Sequence, residues 1–182
     1  MQNNRDSTRS IDLVALFVTG LFAGAVLGAV TNTITGAISP LYFVNILGWQ
    51  NVNDVLRASI AQGVFEGLFC GAILSLIFTT VVGVVTNASC PYSVSVRHLF
   101  RILGATLACW VLGGLFAMAL SALSPEFYRN AFIGVPRDTG EMLLYAWVGG
   151  SIQGIEIGGL LSVIIASVLF RAKWRRQVSE SE

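Results

Sequence analysis

Residues 58–86 read ASIAQGVFEGLFCGAILSLIFTTVVGVVT and carry a single charge, Glu66. A run this apolar exceeds the roughly 20 residues a helix needs to cross a hydrocarbon core of ~30 Å. Working outward, residues 13–38 and 102–125 contain no charge, and 142–170 contain only Glu156. Inside lipid every backbone polar group needs an internal partner, and a single-chain barrel would show short alternating strands instead of long runs. The sequence therefore predicts an all-α integral membrane protein, one membrane domain over 1–182 with four transmembrane helices. The surplus length of each run implies tilt, or helix ends that project from the membrane.

Composition agrees. The chain of 182 residues is 54% hydrophobic and 12% charged, with a mean hydropathy of +0.73. Soluble domains carry about 25% charge, so half of the usual solubilising charge is missing. A net charge of +1 gives no general drive toward nucleic acid. Cys70, Cys90 and Cys109 show neither CxxC nor metal-ligand spacing, which argues against a disulfide framework. The first run is far longer than a signal-peptide core of ~7–15 residues and is read as a retained span.

Basic residues set the expected orientation. Arg5, Arg9, Arg97, Arg101, Arg171, Lys173, Arg175 and Arg176 fall on one side, against Arg57, Arg129 and Arg137 on the other. Both termini are expected in the cytoplasm, in a plasma or inner membrane, with 171–182 as a basic cytoplasmic tail. That tail could touch anionic lipid, although ordinary topology anchoring accounts for it equally well.

The chain also repeats itself. A shift of 85 lays Val26-Leu27-Gly28 over Val111-Leu112-Gly113, and Ser39-Pro40 with Asn45 over Ser124-Pro125 with Asn130. Six extra residues later, a shift of 91 lays Gln62-Gly63 over Gln153-Gly154. The expected architecture is a tandem duplicated helix–elbow–helix unit, repeat 1 over 11–86 and repeat 2 over 99–170. Two spans per copy make both enter the membrane the same way, giving a pseudo-two-fold along the membrane normal.

Small residues recur every four positions, hence on one helix face. They are Gly20, Gly24 and Gly28; Gly63, Gly67 and Gly71; Gly113; and Gly150, Gly154 and Gly158. Such small-xxx-small stripes, a glycine zipper, let membrane helices approach closely. In the connectors, Ser39-Pro40 and Ser124-Pro125 look like an N-cap followed by proline at the first helical position. Short helices would carry Tyr42-Phe43 to a stop near Gly48, and Phe127-Tyr128 to a stop near Gly134. Asn53 and Asp138 are expected caps for the following spans. The elbows read as interfacial, with a re-entrant pore loop as the competing reading.

Glu66 and Glu156, with Gln62 and Gln153, are the candidate intramembrane polar groups, since ionisable residues in spans are expensive and face a bundle interior or water. Counted from the aligned glutamines they sit at +4 and +3, about 100° apart. Hydrogen bonding of each acid to its neighbouring glutamine competes with a proton or cation relay. His98, the one histidine, reads as an interface anchor. HExxH, GxSxG and phosphate loops are absent, so no cofactor, no metal site and no enzymatic role is expected. The leading expectation is a structural or accessory bundle, oligomerising as a homo-oligomer or with a membrane-protein partner through its small-residue faces. The alternative is a small channel or transporter with a polar path at the repeat interface involving Glu66 and Glu156.

Overall fold

A computed structural model describes residues 2–179, with side chains over 10–177. It contains α1 (Gln2–Ile38), α2 (Pro40–Leu47), α3 (Val55–Thr86), α4 (Tyr92–Leu123), α5 (Pro125–Ala131) and α6 (Thr139–Ser179). Four segments are long and apolar enough to cross a membrane: Ser10–Ile38, Val55–Thr86, Tyr92–Leu123 and Thr139–Gln177. In the most apolar window of each, 22% of the residues are buried inside the chain. The remainder, including Phe22, Phe69, Phe116 and Leu123, presents large apolar side chains outward, and such a surface needs a non-aqueous surround.

Each long helix outlasts its apolar run, because charged residues continue the helix past it. α4 starts at Tyr92 and takes in Arg97, His98 and Arg101. α6 carries Arg171, Lys173, Arg175 and Arg176 on helix that continues to Ser179; residues 180–182, and the side chains of Arg5 and Arg9, lie outside the described residues.

Local chemistry fixes the ends. Asp54, and not Asn53, caps α3: its Oδ1 accepts from the Arg57 N–H at 3.0 Å and its Oδ2 meets Arg57 Nε at 3.0 Å. Asp138 caps α6, accepting from the Glu141 N–H at 2.9 Å. Ser39 and Ser124 do occupy N-cap positions before proline, but neither side chain makes a capping bond. The proline supplies the start instead, with φ preset and no N–H to satisfy. α2 ends on left-handed Gly48 (φ 70°), whereas α5 stops at Ala131, short of Gly134 (φ 70°).

α1 packs chiefly on α3 and α4 chiefly on α6; the two hairpins then join through α3–α6 and α1–α4. Both chain termini and the α3–α4 turn lie at one end, here the termini end; α2 and α5 lie at the connector end. A buried cluster of Leu16, Phe78, Val82, Cys90, Leu99, Ile102, Val163 and Phe170 fills the termini half. A smaller one, Tyr128, Met142 and Ala146, sits under the second connector.

Candidate functional site

Each hairpin seam is built from glycine. A Cβ on Gly24 would come 2.7 Å from Gly71 Cα, and one on Gly28, Gly63 or Gly67 would overlap the facing backbone. In the second hairpin, added Cβ atoms on Gly113, Gly150, Gly154 and Gly158 meet the partner helix in the same manner, against Cys109, Gly113 and Ala117. Gly20 lies on Ser75, and Gly71 on Gly20 and Gly24. The small-residue stripes are thus used inside the chain, hairpin by hairpin. Gly104 differs, with nothing within 4 Å of its would-be Cβ.

Between the hairpins, α3 and α6 meet at Leu74, whose Cδ1 would be 3.1 Å from a Cβ on Gly159. From there to the termini end the contact is apolar: Phe78 edge-on to Phe170 at 5.9 Å, with Val82 and Val163 around them. Toward the connector end α2 packs against both α3 and α6. Its Tyr42 lays its ring on the bare backbone of Gly149, with Cε2 3.0 Å and the hydroxyl 3.7 Å from where a Cβ would stand. Tyr42 also packs on Tyr145, with ring centroids 5.1 Å apart. Phe43 is buried and stacked on Trp49 at 5.7 Å. Asn45 Nδ2 donates to the Gly134 carbonyl at 2.7 Å, tying the first connector to the second, and Tyr145 donates to the Ile133 carbonyl at 2.7 Å. Asn130, at the corresponding place in the second connector, is exposed.

Tyr42 reports on both candidate acids. Burial pushes its phenol up from the ordinary value, and the carboxylates of Glu156 and then Glu66 push it further. Side chains on two different helices therefore influence one hydroxyl. Gln62 Nε2 donates to Glu66 Oε1 at 2.7 Å, the glutamine–acid bond expected for α3. On α6 that pattern does not recur: Gln153 lines a laterally open apolar groove of about 780 Å³ between α4 and α6, and no described residue hydrogen-bonds Glu156. Both acids are exposed in the chain alone.

Sequence reasoning found the two acids but not what gathers them. The sequence offers one signal for the Tyr42 seat, the Ser39-Pro40 start of α2. Among the described residues no three of His, Cys, Asp and Glu are grouped to hold a metal ion. No protein-family model, curated protein or solved structure matches this chain.

Proposed function

We propose that this chain is a small multi-pass membrane protein that takes up a proton or small cation from the connector side, where α2 packs on α3 and α6, as the binding site of a transporter. One observation carries the reading: Tyr42, seated on Gly149, feels the charge of both Glu66 and Glu156. Carboxylates on apolar, membrane-crossing helices are expensive to keep charged in lipid. A proton or a cation relieves that cost, with the Tyr42 hydroxyl and the Gln62 amide as supporting dipoles. The apolar Leu74–Phe78–Phe170 contact bars the termini half, so transport would require the hairpins to rock and a continuously open channel is disfavoured.

The finer architecture belongs to the same proposal. A tandem duplication is supported by the seam contacts: Gly63 faces the Gly28 carbonyl and Asn32 Cβ, and Gly150 faces the Gly113 carbonyl and Ala117 Cβ. Gly67 faces the Gly24 carbonyl as Gly154 faces that of Cys109. These pairs favour a shift of 85 for the first helix and 87 for the second, in place of 91. The pairing of α3 with α6 and of α1 with α4 suits a pseudo-two-fold along the membrane normal. The basic residues at the termini end favour cytoplasmic termini in a plasma or inner membrane.

The test is uptake of H⁺, Na⁺ and K⁺ into liposomes holding the purified chain, comparing the parent with Glu66→Gln, Glu156→Gln and Tyr42→Phe. Flux in the parent and its loss in both acid variants is expected; no flux for any of the three ions, or unaltered flux in the doubly substituted chain, rejects the proposal. A second reading, a structural or accessory bundle with a homo-oligomeric or membrane-protein partner, is favoured by the sealed termini half. Its mark is a stable assembly in native mass spectrometry together with inert liposomes.

A further inference from the structure

We infer that the groove between α3 and α6 at the termini end is a binding site for one anionic phospholipid, with its phosphate on Arg171 and Arg175, an ester carbonyl on Ser167 and an acyl chain along the valines. The groove holds about 540 Å³; besides those three residues its lining includes Thr80, Val81, Val84 and Val168. Ser167, Arg171 and Arg175 follow one another at four-residue steps and so form one stripe on α6. Ser167 is 9% exposed, and its hydroxyl is buried without a hydrogen-bond partner. A buried hydroxyl left unpaired costs about 1–3 kcal/mol, so the groove calls for an acceptor at that depth.

The lining contains no acid, and the two guanidiniums make no ion pair with a described carboxylate. The occupant therefore needs an anion at the mouth, an acceptor about one helical turn deeper and a hydrocarbon tail beside the valines. A free phosphate supplies only the first of these, and a neutral lipid only the last two. An anionic phospholipid such as phosphatidylglycerol supplies all three. The inference requires only that the four long helices lie in a bilayer and is independent of the site around Tyr42.

The experiment is native mass spectrometry of the full chain in detergent, titrated with phosphatidylglycerol or phosphatidylcholine. One retained phosphatidylglycerol is expected, not displaced by millimolar inorganic phosphate. Arg171→Gln with Arg175→Gln should weaken it about thirtyfold, and Ser167→Ala about three- to tenfold. Arg97→Gln with Arg101→Gln removes equal charge at the same end but outside the groove, and should leave retention within about twofold. Equal loss in that second pair, equal retention of phosphatidylcholine, or displacement by phosphate would overturn the assignment.

Discussion

Replacing Gly24 by alanine asks whether the glycine seam holds the first hairpin together. A Cβ there would stand 2.5 Å from the Gly67 carbonyl oxygen and 2.7 Å from Gly71 Cα. Carbon contacts are comfortable at about 3.5–4.0 Å, so α1 and α3 must part by about 1 Å at this level. The obstacle is backbone, which cannot swing aside as a side chain can. A gap of about 0.5–1 Å forfeits roughly a quarter to a half of each dispersion contact it opens, and in lipid those contacts replace the missing hydrophobic drive. The expected cost is about 1–3 kcal/mol, typical of overpacking. Gly104→Ala is the internal control: the same substitution within a span, at a position with open space, expected to stay within about 0.5 kcal/mol. The assay is reversible unfolding in mixed micelles with rising dodecyl sulfate, followed by helical circular dichroism. If Gly24→Ala proves as stable as Gly104→Ala, the seam is not what positions α1 on α3.

Three further outcomes follow from single contacts. Asp54→Ala should cost about 0.5–2 kcal/mol in the same assay while Asp54→Asn costs little, because the cap to the Arg57 N–H matters and its exposed ion pair does not. Tyr128 is buried, and burial, then Tyr42, pushes its phenol up to about 12. The fold thus favours the neutral phenol: its stabilisation is intact below pH 10 and falls by about 1.4 kcal/mol per unit as pH rises from about 10 to 12, a slope that Tyr128→Phe should remove. Gly149→Val should evict Tyr42 from its seat and bring its phenol back toward the ordinary value, read by ultraviolet titration against Tyr42→Phe; an unchanged titration would mean that the ring does not rest there.

The sequence made the membrane architecture legible because lipid allows so few solutions: four uncharged or singly charged runs can hardly be anything but spans. The elbow helices were legible for a similar reason, since Pro40 and Pro125 start helices wherever they stand after an extended residue. Less legible were the features governed by three-dimensional register. Asn53 and Asp54 are both good caps, and only the observed start at Val55 chooses between them. Helix ends are legible only as surplus length: Arg171 and Lys173 end an apolar run without ending α6, which continues to Ser179.

The seam register shows why the site could not be placed from the repeat alone. Glycines spaced by four make an alignment nearly as good when slipped by one turn, so shifts of 87 and 91 both stack small residues on small residues. Only backbone contact separates them, and it favours 87, which puts Glu66 over Gln153 and Gln62 over Gly149. That last pairing explains an asymmetry. On the proposed duplication Phe127 would be the counterpart of Tyr42; it is 68% exposed, and the position matching Gly149 would be Gln62, which carries a side chain. Glu156, under the same register, stands opposite Phe69 and lies about 4.5 Å deeper than Gln153. On the proposed duplication, the Tyr42 seat thus falls where the two halves would differ, at one glycine that admits a ring. A search for symmetric residue pairs would pass over it.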